Sequence, residues 1–304
     1  MTITSAGLPI NKTLFQSQVL DSIFNADHSG LSAGSNAPGI RDLFSSLLSQ
    51  RIEKNKPDAT LAAGLKPNQL TNDLSATGRN LSLFNPEAGY KLSTFINSRD
   101  VLYKAQFSEL SQIKTGVVQL QAAGEDLGAI TVDTPAAGVE VQLQNFVGRY
   151  NHWREAFNAD VAEGGLLDNV QAAEVSLYTL EQSVKNTFIG AKDAIRSLRD
   201  LGITVDPNTH FVALDSKQLA ATLSSKHQGA VNAIQDFGAH FAQSAALLNA
   251  DHNFIPNQLD NLNRAIRYIT DNQAALKLEF GTGDATKPNA QTVRALASYN
   301  RLYA

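Results

Sequence analysis

The residues of this chain best equipped for metal or acid–base chemistry are its histidines: His28, His152, His210, His227, His240 and His252. A zinc-binding helix places two ligands three or four positions apart, and no two of these histidines have that spacing. His152 has Glu155 one helical turn on, but such a pair is common on exposed helix faces, so all six read as surface or packing residues. Asp206-Pro207-Asn208 and Asp251-His252-Asn253 resemble the opening of a calcium loop. Neither continues to the glycine at the sixth position and the glutamate at the twelfth that such a loop requires. The chain has no cysteine, which excludes disulfides, thiolate nucleophiles and thiolate metal sites. No GxxxxGK[ST] or GxGxxG run is present to cradle a phosphate, and no serine sits in a GxSxG elbow. Gly281-Thr282-Gly283 opens no strand–turn–helix unit and reads as linker, and the pair Glu125-Asp126 reads as a solvated helix end. The expectation is a protein without catalysis, cofactor or metal.

Composition narrows the class further. The 304 residues carry a formal net charge of −4, with 43% hydrophobic and 18% charged residues. A length of this order suffices for one large or two ordinary domains. The mild acidity and scattered basic residues argue against a nucleic-acid face or an anionic membrane as partner. No run of about 18 apolar residues suggests a membrane span. Residues 1–20 lack the basic start and apolar stretch of a cleaved secretory signal.

The elements that must position everything else are helical. Ile96, Tyr103, Leu110 and Val117 recur every seven residues, with Ile113, Leu120 and Leu127 three positions further along. The same rhythm returns in Val170, Leu177, Val184, Ala191 and Leu198, beside Ala173, Leu180, Ala194 and Leu201. Such rows form a narrow apolar seam that another helix has to cover. The reading is mainly α: long antiparallel helices in a coiled-coil-like bundle with one small β hairpin.

Three regions are expected. Residues 1–90 form a polar leader with short helices at Leu14–Phe24 and Ile40–Ile52; 91–280 form a helical stalk; 281–304 are a linker and a short C-terminal helix. Within the stalk, helices are expected over about Leu92–Leu127, Val139–Asn158, Asp168–Arg199, Ala230–Asn249 and Gln258–Phe280. Gly116 and Gly124 each weaken the first of these by about 1 kcal/mol relative to alanine, so neighbours must hold it. Ile130-Thr131-Val132 reads as a possible short strand. The β hairpin, near 203–214, pairs Ile203-Thr204-Val205 with Phe211–Leu214 across a turn-forming Asp206–His210 run. Asp215-Ser216 then caps a helix through Leu223. Gly202 is expected to leave the preceding helix with a positive φ.

Two signatures occur in order about fifty residues apart. The first is Leu143-Gln144-Asn145-Phe146-Val147-Gly148-Arg149-Tyr150-Asn151; the second is Leu198-Arg199-Asp200-Leu201-Gly202-Ile203-Thr204-Val205-Asp206, leading to Asp215 and Leu219. Together with the glycine turn Gly164-Gly165 and the helix Tyr103–Leu127, they resemble the flagellar filament-cap family, also called hook-associated protein 2. The resemblance covers roughly residues 90–280. In that family large β-rich head domains separate the first helix from the FVxxYN helix; here only about a dozen residues, Gly128–Val139, join them.

The resemblance implies a structural protein of the bacterial flagellum, exported unfolded and placed at a filament or hook tip. Its partners would be copies of itself and flagellin or hook-associated subunits. The alternative reading is a cap-like regulator, cytoplasmic, that binds an export chaperone or another flagellar partner without capping. In either case Phe146, Val147, Tyr150 and Asn151 should anchor the second helix. Leu198, Leu201, Gly202, Ile203, Asp215 and Leu219 should fix the turn into the hairpin, while the seam residues Ile96, Tyr103, Leu110, Val117, Leu177 and Val184 pack between helices.

Overall fold

The computed structural model describes residues 74–185 and 195–303. The leader helices expected at Leu14–Phe24 and Ile40–Ile52 lie outside the described residues. The element order is α1 (Pro86–Gly128), α2 (Ala136–Val161), α3 (Gln171–Lys185), a 3-10 turn (Leu198–Leu201), β1 (Ile203–Val205) and β2 (Val212–Leu214). It continues with α4 (Ser216–Ser225), α5 (His227–Asn249), α6 (Phe254–Phe280) and α7 (Ala290–Tyr303). The protein is mainly α, with, among the described residues, one two-stranded antiparallel sheet in which Ile203 faces Leu214 and Val205 faces Val212.

Contacts divide the chain into two units. One takes in the described residues up to Lys104 together with Leu262–Ala297; the other takes in Ala105–Asn261 and the residues from Ser298.

In the first unit α1 starts at Pro86, six residues before the position expected from the apolar rhythm. The local chemistry explains the earlier start. Asn85 Oδ1 accepts the Ala88 amide at 3.0 Å, and Pro86 occupies the first helical position, where no amide is needed. Residues 281–289 have no regular secondary structure and lie as a strap against the beginning of α1. Ser93 Oγ donates to Gly281 O (2.6 Å), and Asn97 Nδ2 donates to Thr282 O (3.0 Å) and Asp284 O (2.9 Å). In return the Asp284 amide donates to Thr94 Oγ1 at 2.8 Å, and Tyr90 Oη donates to the Asp284 carboxylate at 2.8 Å. Asn80 caps the end of α6, its side-chain amide donating to Leu278 O and Glu279 O at 2.8 and 2.9 Å.

In the second unit α1 runs antiparallel to both α2 and α5. Along α5 the sequence of contacts is Asn249 Nδ2 to Lys114 O, Gly238 beside Gly124, and Gln235 Nε2 to Ile130 O. At the crossing the two backbones touch. A Cβ on Gly124 would lie 2.9 Å from Gly238 O, and one on Gly238 would lie 2.6 Å from Gly124 O. The helix propensity lost at Gly124 is therefore the condition for this approach. Against α2, Gly116 sits under the Trp153 ring and Asp126 faces Arg149 Nη1 at 3.7 Å, again with the numbering running in opposite directions.

Two expectations are corrected. Ile130-Thr131-Val132 is not a strand. The Thr131 amide donates to Thr134 Oγ1 and the Thr134 amide to Thr131 O, closing a turn, while Ile130 packs inward and gives its carbonyl to Gln235. The helix expected through Arg199 is not continuous either. Residues 186–194 lie outside the described residues, and Leu198–Leu201 form the 3-10 turn. The Asp200 carboxylate accepts the amides of Arg196 (2.7 Å) and Ser197 (3.2 Å), a local side-chain bond that competes with an α-helical ladder.

Candidate functional site

The two sequence signatures meet in the second unit. The 3-10 turn delivers the chain to Gly202, whose φ is +82°. A Cβ at this position would also stand 2.6 Å from Asp215 O, so both the dihedral and the space demand glycine. The Asp215 amide donates to Gly202 O at 2.8 Å, tying the far end of the hairpin to its start. Asp215 is exposed and caps α4, its carboxylate accepting the amides of Lys217 and Gln218 at 2.9 and 3.1 Å. Gln218 Nε2 and Thr222 Oγ1 of α4 then donate back to the carbonyls of Arg199 and Asp200. At the hairpin tip the Asp206 carboxylate accepts the amides of Asn208 (2.9 Å) and Thr209 (2.7 Å). These bonds to the charged form hold Asp206 below the usual aspartate range. Leu198, Leu201, Ile203 and Leu219 are all buried beneath this assembly.

Asn151 fastens the hairpin to α2. Its Nδ2 donates to Val212 O and its Oδ1 accepts the Val212 amide, both at 2.7 Å. One side chain thus satisfies both backbone groups of a β2 residue, which β1 alone cannot do on that edge. One turn away, Phe146 packs edge-on against Phe237 and Phe241 of α5, with ring centroids 5.3 and 4.9 Å apart. Tyr150 lies between Phe146 and Trp153 and is fully enclosed; burial drives its phenol pKa well above the ordinary value. Val147 is half-buried on the flank of the same helix.

The seam positions are buried as well. Ile96 and Tyr103 belong to the first unit, and Leu110 and Val117 to the second. Leu177 and Val184 are buried on α3, which packs on α5, α2 and β1.

A group that the sequence did not single out lies at the same place. Glu181 of α3 is only 7% exposed and Arg154 of α2 only 8%. Glu181 Oε2 is 3.4 Å from Arg154 Nη1, and Oε1 is 2.9 Å from His210 Nδ1 of the hairpin loop. Lys185, one turn further along α3, contacts the same Oε1. A carboxylate only accepts hydrogen bonds, so this contact places a proton on His210 Nδ1. Burial alone would raise the Glu181 pKa, but hydrogen bonds from Lys185 and His210 outweigh it and hold the carboxyl below the usual glutamate range. His210 reaches this position with a φ of +60°, unusual for a side-chain-bearing residue.

One carboxylate thus joins α2, α3 and the hairpin loop. Engaged by Arg154, Lys185 and the His210 ring, it is suited to clamping rather than to proton transfer. Sequence offered one faint signal, the Glu181/Lys185 spacing of four; Arg154 and His210 come from elsewhere in the chain. Among the described residues, no group of three or more histidine or carboxylate side chains gathers as a metal site, and no helix is long and apolar enough to cross a membrane.

Comparison with known proteins bears on this arrangement. The family model for the C-terminus of flagellar hook-associated protein 2 matches residues 94–282, a span that holds both signatures, the hairpin and the clamp. No curated protein and no solved structure matches the chain.

Proposed function

The chain belongs to the flagellar hook-associated protein 2 family, and from that premise we propose that it is a cap-type subunit working at the tip of a filament or hook. It acts through surfaces presented by its helices, not through chemistry at a site. Its contacts are with further copies of itself and with flagellin or hook-associated subunits, and it reaches them through the flagellar export channel. The observation that carries this reading is the family match over residues 94–282, on a chain whose paired motifs are used for packing. A chain free of cysteine suits passage through a narrow channel in the unfolded state, since no disulfide can cross-link it on the way.

A second reading is favoured by the joint between α1 and α2. Only residues 129–135 connect them, where the cap family places its head domains. On this reading the protein keeps the cap-like core and regulates flagellar assembly by binding an export chaperone or another flagellar partner.

One experiment separates the two. Secretion of the full chain is followed in culture supernatant, with and without a working flagellar exporter, and the mass of the purified protein is measured by light scattering over a concentration series. Exporter-dependent appearance outside the cell and defined oligomers support the tip subunit. A protein that stays inside cells and remains a monomer at high concentration overturns it in favour of the regulator.

A further inference from the structure

In the first unit, large apolar side chains are gathered where the described chain begins. Leu81 is 63% exposed and Phe84 is 88% exposed, both on the short turn that precedes α1. That turn lies on the last turn of α6, because Asn80 donates to Leu278 O and a Cβ on Gly89 would meet both Leu83 Cδ1 and Phe280 O. Leu278, on the same turn of α6, is 53% exposed. Nearly naked phenylalanine beside two half-naked leucines is costly in water, and clusters of this kind mark contact surfaces.

The chain itself points to what covers them. Leu74 forms a bridge with Asn80, the neighbour of Leu81, so the described chain begins at the edge of the patch. Among the residues before Leu74, Ile40, Leu43, Phe44, Leu47, Leu48 and Ile52 have the spacing of a single helical face. Arg41, Asp42, Ser45, Ser46, Ser49 and Gln50 fill the opposite face, and Pro38-Gly39 and Pro57 bracket the stretch. A helix of this length is marginal alone in water and needs an apolar surface to form on. The connecting residues 53–73 can span about 70 Å when extended, which leaves reach unrestricted.

We propose that the patch formed by Leu81, Phe84 and Leu278 is the docking site for the chain's own segment Ile40–Ile52, seated by its apolar stripe. Contact between leader and body is then intramolecular and available to a single copy.

The absence of native cysteine allows a direct test in the full chain. Leu47→Cys is combined with Phe84→Cys, and the control pairs Ser46→Cys, from the polar face, with Phe84→Cys. Under mild oxidation the first pair should close an intramolecular disulfide at least tenfold faster than the control, at a rate independent of protein concentration. Equal rates for the two pairs overturn the proposal. So does a product that is only a cross-linked dimer, which would assign the patch to a second copy. An independent measurement avoids cysteine: trypsin should cut after Arg51 and Lys54 several-fold faster in Phe84→Ser than in the unaltered chain. Phe84 is too exposed for this change to disturb the fold, so an unchanged cleavage rate overturns the proposal as well.

Discussion

In one unit the β hairpin is fastened to α2 and α3 by a buried carboxylate that meets Arg154, Lys185 and the His210 ring, whereas in the other the strap at 281–289 is fastened to α1 mainly by neutral hydrogen bonds to backbone. The two joints solve the same problem, holding together segments far apart in sequence. They differ in what their failure costs. The exposed neutral hydrogen bonds that Asn97 and Thr94 make to the strap are replaced by water when they break, at about 1 kcal/mol each. Removing one member of a buried ion pair leaves a charge with no solvent, which costs about 3–5 kcal/mol. The hairpin joint is therefore the more selective and the more vulnerable of the two.

The largest effect is expected from replacing Leu177 and Val184 together by Asp. Truncating one buried leucine already costs about 2–5 kcal/mol, and two added carboxylates exceed that. The helical circular dichroism and cooperative melting assigned to the hairpin-bearing unit should vanish; retention of both would remove the case for α3 as the support of this joint.

Next comes Glu181→Gln, which keeps the shape but strands Arg154. A loss of about 3 kcal/mol in urea unfolding at neutral pH is expected. The sign with pH follows from the depressed Glu181 pKa. Its stabilising contribution is fully present above the ordinary glutamate value of 4.5 and fades as pH falls through the lower folded value. The gap between variant and unaltered protein should thus shrink toward pH 3. A gap that stays constant with pH would mean the carboxylate's charge is not what joins the elements.

Gly202→Ala should destabilise the same unit by about 1–3 kcal/mol, since alanine must hold a left-handed dihedral and push against Asp215 O. Its mark would be faster amide exchange at Asp215. The smallest change is expected at the other joint. Asn97→Ala should cost about 0.5–1 kcal/mol with no pH dependence, seen as faster exchange of the Asp284 amide, which donates to Thr94. A loss as large as that of Glu181→Gln would erase the distinction between the joints.

Much of this was readable in the chain. Apolar spacing predicts the helices because one face must be dry, and the hairpin follows from two strand-prone runs around the turn-forming Asp206–His210. The Gly202 turn was legible because few residues adopt its dihedral. The family resemblance came from residues such as Asn151 and Asp215, whose side chains serve backbone groups and so leave a fixed pattern. Three things were not legible. Glu181, Arg154, Lys185 and His210 are ordinary surface-type residues until four positions from three elements converge. The break before Leu198 was hidden because Leu198 and Leu201 are buried in a 3-10 turn just as they would be in a helix. The strand expected at Ile130 failed because β propensity says nothing about whether a partner strand exists.

The crossing of Gly124 and Gly238 leaves no side chain between two main chains. Where a glycine faces a side chain, as Gly116 faces Trp153, an enlarged residue can be accommodated by a rotated neighbour; at this spot there is no neighbour to rotate. Added bulk can be absorbed only by moving α5 bodily, and α5 is in contact with α3, α4 and the Leu198–Leu201 turn. A single methyl group placed there would therefore be felt as a misaligned hairpin, well away from where it was introduced.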